Sequence, residues 1–332
     1  MQTTMAEDIA SRSRRRALGH IGLLAMLACS GTLGGCARGG PLRVVASPGA
    51  ALELEWLAKE RGLVDAGGYA VERQPNETEA LDILLRGDAQ AWVGSLEQVL
   101  RARAAGLDME VVLLVGISRG ADGLITRGNA GSIAALAGKR IAVDDSATAT
   151  VLLSTILDGA GVPLSAVERV SPGADPVAAW SDTRISAVLC REPLLSRLER
   201  EGARRLVDTS RLPPLVMEVL AVRSGLAGGR MVALRALVDA MLRGRQVLRS
   251  NPVDSSYRLA TRLGMDPADV QSLYPRLLLP DLDYNRYLLS GASELVGACQ
   301  PLARAVERSL GGSVAVSCDG LFSPRALPES FV

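Results

Sequence analysis

The apolar positions along this chain alternate between strand-like runs and stretches with a helical period near 3.6, and each switch marks an element. Leu42–Ala46, Tyr69–Arg73 and residues 89–93 have the length and pattern of strands. Between them, residues 50–61 place Leu52 and Trp56 on one helical face with Leu57 beside it, and residues 96–105 read as another helix. Pro75-Asn76-Glu77-Thr78-Glu79 is a helix start: Asn76 can cap it, and the acids complement the positive dipole end. That helix runs to Arg86-Gly87, and Gly94-Ser95 is the turn after the third strand. Residues 109–117 form a longer apolar strand, which Ser118-Arg119-Gly120-Ala121-Asp122-Gly123 interrupts before Leu124-Ile125-Thr126.

The alternation then repeats. Ser132 can cap a short helix that Gly138 ends, and residues 140–143 read as a buried strand. Ser146 can cap the next helix, which carries Val151, Leu152, Thr155 and Ile156 on one face and ends at Gly159 and Gly161. Residues 166–170 lead into a helix around 177–180, and residues 185–190 into a helix from Pro193. Strand, helix, strand in this order predicts an α/β fold with mostly parallel sheets and loops at the strand carboxyl ends. After the Leu212-Pro213-Pro214 turn, residues 216–222 form one more apolar strand. From Arg230 the pattern is helical (231–248, 254–263, 267–274 and 285–309), and from Gly311 it is irregular.

The run SIAALAGKRIAV, then ATATVLLSTILDGAGV, then ISAVLCREPLLSRL and GARRLVDTSRLP resembles the nitrate/sulfonate/taurine-type substrate-binding proteins of ABC importers, over residues 43 to 262. The resemblance implies a two-lobed, type II periplasmic-binding-protein-like fold whose lobes close on a small-molecule ligand, hinged on two crossover strands. It implies residues 42–123 with 223–310 in lobe one, 124–222 in lobe two and 311–332 as a tail. It also implies an ABC permease and ATPase as partners, and no cofactor.

The N-terminus reads as an export signal. Arg14-Arg15-Arg16 is a basic start, residues 18–28 are an apolar core too short to span a bilayer, and Leu33-Gly34-Gly35-Cys36 matches the lipobox of bacterial lipoproteins. Acylation of Cys36 would attach the protein to a membrane surface; the alternative is an ordinary or uncleaved signal. Residues 13–18 also fit a twin-arginine signal, against a generic basic n-region. In an exported chain a disulfide between Cys299 and Cys318 is chemically permitted, and the sequence leaves their pairing open.

Composition narrows the function. The whole chain has 37 basic and 36 acidic residues; residues 1–35 hold four Arg and two acids, so the remainder carries 33 against 34, a net charge of −1. No nucleic-acid partner is indicated. The single histidine, His20, lies in the export signal, which removes His-dependent triads and His-ligated metal sites from the remaining chain. That also disfavours the pyrimidine-precursor-synthesising enzymes built on the resembled fold. A ligand-sensing or scaffold lipoprotein is the other alternative.

In an open α/β lobe the ligand crevice lies outside the strand carboxyl ends, where helix N-termini present free N–H groups. The rule, and the resemblance with it, select Ser47, Glu77, Ser95, Ser118, Asp144, Ser146, Thr148 and Glu192 as candidate ligand contacts, with Ser47, Ser95, Ser146 and Thr148 as hydrogen-bonding groups. The competing reading of each Ser is a helix cap. The acids Glu77, Glu97, Asp144, Asp145 and Glu192 depart from what a nitrate or sulfonate site would want. They suit a neutral or cationic nitrogen-bearing ligand, unless they only cap helices. With 3% aromatic residues, a sugar-stacking platform is not indicated.

Overall fold

A computed structural model describes residues 40–330, apart from residues 50, 52, 65–66, 128–130, 174–175 and 292–293. Cys36 and the segment expected to be an export signal lie outside the described residues.

The first part of the chain runs β1 (Leu42–Ala46), α1 (Glu53–Glu60), β2 (Tyr69–Arg73), α2 (Glu77–Leu85), β3 (Ala91–Ser95), α3 (Leu96–Ala104) and β4 (Met109–Ser118). It continues with β5 (Asp122–Thr126), β6 (Arg140–Ala142), α4 (Ala147–Asp158), β7 (Glu168–Val170), α5 (Pro176–Ser181), β8 (Ile185–Arg191), α6 (Leu194–Arg200) and β9 (Arg204–Asp208). The last part is β10 (Met217–Arg223), α7 (Gly229–Ser250), α8 (Pro252–Leu263), α9 (Pro267–Leu273), β11 (Leu277–Leu278), α10 (Leu282–Leu289) and α11 (Glu294–Ser309).

Two sheets make a two-lobed fold. Lobe one carries the strand order β11-β4-β10-β3-β1-β2 and lobe two the order β7-β6-β8-β5-β9. β1 is parallel to β2 and β3, whereas β10 is antiparallel to β3 and β4. In lobe two β6 is parallel to β7 and β8, and β5 runs against β8 and β9. The expected two-lobed α/β architecture is what the structure has, but the sheets are mixed rather than mostly parallel. Among the described residues four of the nine strand pairings are parallel and five antiparallel, because the strands that cross between the lobes run against their neighbours.

Residue alternation divides each sheet between two apolar layers. In lobe one, Leu42, Val44, Ala91, Val93, Leu220 and Val222 face the layer under α1 and α7. Val45, Trp92, Val219 and Ala221 face the layer that α2, α3 and α11 cover. That second layer does not stop at the lobe boundary. It takes in Ile141, Val143, Val151, Leu152 and Ile156 of lobe two together with Leu295, Ala298 and Leu302 of α11. The opposite face of the lobe-two sheet packs on α5 and α6 through Ile125, Val188, Leu195 and Leu198.

Two boundaries differ from the sequence pattern. The apolar period over 285–309 predicts one helix, yet two form, because α10 ends at Leu289 with Ser290 as its cap, and Gly291 adopts a left-handed φ of 77° that a continuing helix could not accept. The irregular tail from Gly311 also has a structural role. Cys318 is disulfide-bonded to Cys299 of α11, and Val111 of β4 exchanges backbone hydrogen bonds with Leu321 and Ser323 at 2.7 and 2.9 Å.

Candidate functional site

Two crossings join the lobes. β4 passes through Arg119-Gly120-Ala121 into β5, and β9 passes through a short turn at Thr209–Arg211 into β10. Thr209 fastens the crossings to each other: its hydroxyl accepts from Gly120 N at 2.8 Å and shares a hydrogen bond of 2.7 Å with Ser118 Oγ. Gly120 has φ +111°, a conformation that a side chain would strain. Glu192 lies beside the same hinge and is 5% exposed. Its carboxylate accepts from Ser196 N and Oγ and pairs with Arg276 of lobe one at 3.1 Å. Arg205 stands 3.9 Å away.

The crevice itself is lined from both lobes. Ser47, 3% exposed, follows β1 and accepts a 2.9 Å hydrogen bond from the buried indole of Trp92. Gly94 makes room for that bond, since a Cβ there would lie 2.7 Å from Trp92 Nε1. Ser95 caps α3 by accepting from Gln98 N, and Ser146 caps α4 by accepting from Ala149 N. Asp144 accepts from Ser146 N at 2.8 Å and shapes the turn before α4. Thr148 points its hydroxyl at Glu97 of lobe one, with an Oγ1 to Oε2 distance of 2.7 Å.

Glu218 is the charge at the crevice that the strand-end rule misses. It sits near the start of β10, paired in register with Ser95 of β3 and Gly116 of β4. Because β10 runs antiparallel, its amino end lies beside the carboxyl ends of its neighbours. Glu218 Oε2 accepts from Ala51 N at 2.9 Å, and Gly49 lets the carboxylate pass, since a Cβ there would meet Oε1 at 2.8 Å. Burial pushes the Glu218 carboxyl above its ordinary range, Arg191 pulls it back, and Asp122 and Glu77 push it further up. Arg191 ends β8 and reaches Asp122 through Nε at 3.3 Å while its side chain stays 64% exposed. Its guanidinium is held more firmly protonated, chiefly by Asp122, with Glu218 and Glu77 adding to the effect. Glu77, Asp122, Arg191 and Glu218 therefore share one electrostatic neighbourhood. The signal in the sequence was one acid inside the apolar run of residues 216–222.

A family model described as NMT1/THI5 like matches residues 55–255, which is more than half of the chain. The chain belongs to the NMT1/THI5-like family. No curated protein matches this NMT1/THI5-like chain by sequence. Solved structures match it in fold. The periplasmic aliphatic sulphonate binding protein SsuA of Escherichia coli aligns with TM-score 0.67 at 18% identity, covering 85% of this chain and 97% of that one. The alkanesulfonate-binding protein SsuA of Xanthomonas axonopodis pv. citri, bound to MOPS, aligns with TM-score 0.61 at 19% identity, covering 85% and 98%. The desulfurization enzyme DSZB aligns with TM-score 0.61 at 18% identity, covering 86% and 97%. The NMT1/THI5-like fold thus accommodates binding proteins and an enzyme alike.

A second concavity of this NMT1/THI5-like chain, of about 480 Å³, lies outside the crevice between α7, α8, α9 and β11, with Leu248, Val253, Tyr274 and Leu279 in its walls. Its lining includes Arg245 and Arg249 and no acid. The candidate site is assigned to the crevice instead, because there Arg191 of one lobe faces Glu218 and Glu77 of the other, whereas the concavity is lined by lobe-one residues. Among the described residues no group of three His, Cys, Asp or Glu side chains could hold a metal ion, and no helix is long and apolar enough to cross a membrane.

Proposed function

We propose that this protein is the exported solute-binding component of an ABC importer, capturing a small polar organic solute between its lobes and presenting the closed form to a permease and its ATPase. The observation that carries the reading is the unpaired opposition of Glu218 and Arg191. They come from different lobes and feel each other's charge, yet no ion pair joins them among the described residues. Arg191 uses Nε on Asp122, so its terminal amino groups suit an anionic group of a solute. Glu218, with Glu77, suits a cationic or nitrogen-bearing one. Two of the fold's solved relatives are sulfonate-binding proteins, which makes a plain sulfonate the alternative solute. Lobe one is assigned residues 42–118 with 217–310 and lobe two residues 122–208, which departs from the expected bounds because β10 pairs with β3 and β4 and β5 pairs with β8. Acylation at Cys36 is assigned as the membrane anchor.

Binding without catalysis is part of the proposal. The fold alone leaves this open, since DSZB shares it. What supports it is the lack of histidine beyond His20 and the state of Cys190, whose thiol burial pushes up to about 12, with Glu192 and Asp122 adding to the shift. A thiol in that state stays protonated and is a poor nucleophile.

The test is a thermal-shift screen against amines, pyrimidines, amino acids, nitrate and sulfonates. A true solute at 100 times its dissociation constant adds about 2.7 kcal/mol of stability. The expected hits carry nitrogen, and Glu218→Gln weakens them. Hits confined to plain sulfonates would reassign the acids to structural roles, and turnover of any hit would overturn the non-enzyme reading.

A further inference from the structure

The amino end of α4 in lobe two, where the crevice rule expects free N–H groups, is already filled by the protein itself. Ala147 N and Thr148 N donate to the two carboxylate oxygens of Glu97 at 3.0 and 2.7 Å, and Thr148 Oγ1 donates at 2.7 Å. Ala149 N donates to Ser146 Oγ and Thr150 N to Ser146 O. All four amides that open the helix are therefore satisfied, so none is left for a solute while this arrangement holds.

Glu97 reaches α4 from the other lobe. It is the second residue of α3, only 3% exposed, and Arg101 one turn later braces Oε1 through Nε at 3.1 Å and Nη2 at 3.0 Å. A buried carboxylate is tolerated only with its lone pairs used, and here three of its five donors belong to lobe two. Separation of the lobes would leave Glu97 with Arg101 alone and would strip three hydrogen bonds from α4. Other ion pairs between the lobes differ in placement: Arg200 of α6 meets Asp269 of α9 at 3.4 Å with its side chain 61% exposed, where solvent screens the pair. Glu192 and Arg276 meet beside Gly120, at the pivot, where a contact can persist through opening. Below the polar contact, α4 packs with α11 in the apolar layer common to both lobes, so the carboxylate seals an interface that is already dry.

We propose that Glu97 is an intramolecular latch that holds lobe two against lobe one before any solute arrives. The solute does not drive closure on this side of the molecule; it enters when the latch releases. The latch is independent of which solute the crevice takes, so it stands or falls apart from the transport reading.

Spin labels at Thr78→Cys in lobe one and Lys139→Cys in lobe two, both exposed positions, with Cys29, Cys36 and Cys190 each replaced by Ser so that no other unpaired thiol takes label, report the interlobe distance without any ligand. The parent gives one narrow distribution. Glu97→Ala shifts it to longer distances and broadens it. Glu97→Gln gives an intermediate shift, because it keeps one acceptor oxygen and loses the charge that Arg101 braces. Thr148→Val, which deletes one of the three bonds, gives the smallest shift. Fraying of α4 alone would leave the distance where it was, so it cannot imitate this result. Should the alanine variant not fold, as read by circular dichroism, the glutamine and valine variants carry the test. Distributions identical to the parent in the folded variants overturn the latch.

Discussion

Asn285 supplies β4 with hydrogen bonds that a neighbouring strand would otherwise make. Its Oδ1 accepts from Leu114 N at 2.8 Å, and its Nδ2 donates to Leu114 O at 3.2 Å, so one amide side chain completes a stretch of sheet edge. The same Nδ2 also reaches the carbonyls of Pro280 and Asp281. The residue is fully buried, and Asn285→Ala leaves both backbone groups of Leu114 dry and unpaired. Each orphaned group costs about 1–3 kcal/mol, so the expected loss is about 2–6 kcal/mol in urea denaturation. A loss under about 1 kcal/mol would mean that water or a shifted backbone replaces the amide. Such roles are invisible in a pattern of apolar positions. Ser47, Ser118 and Glu192 stand out in the sequence as polar residues at strand ends, and in the structure each is buried with a protein partner.

The long helix α7 lies against α1 so closely that only glycine fits between them. A Cβ on Gly244 would fall 1.7 Å from the carbonyl oxygen of Leu54, a distance no side-chain adjustment relieves because the obstacle is backbone. Alanine is ordinarily better than glycine inside a helix by about 0.5–1 kcal/mol. Here overpacking outweighs it, and Gly244→Ala is expected to destabilise by about 1–3 kcal/mol or more. A melting temperature at or above the parent's would show that α7 moves away at little cost. The helices themselves were legible, since their caps Asn76, Ser95 and Ser146 accept hydrogen bonds where the sequence puts helix starts. What lies against each helix was not, because a period defines a face without naming its partner.

The crevice charges give the whole molecule a pH dependence. The Glu218 carboxyl is raised above its ordinary range, chiefly by burial. Folding therefore favours its protonated form. That contribution is fully present below the unfolded value and is lost as pH rises through the folded one. Glu218→Gln, which cannot ionise and can still accept from Ala51 N, is expected to gain stability over the parent as pH climbs from about 4 towards neutrality. Urea denaturation at several pH values checks this, and a stability difference that stays constant with pH would remove Glu218 as the titrating group. By itself the sequence determined the α/β class, the order of strands and helices and the helix starts, while the two-lobed fold was implied by the resemblance of residues 43–262 to a known family. The class, the element order and the helix starts follow from local period and capping, which neighbouring residues encode. Tertiary structure alone decided that Glu218 stands at the crevice, since an antiparallel strand brings its amino end there. It alone decided that Glu97 crosses to α4, that Cys299 meets Cys318, and that one apolar layer runs through both lobes. Each of these joins segments far apart in the chain, and their proximity comes from packing rather than from any local pattern.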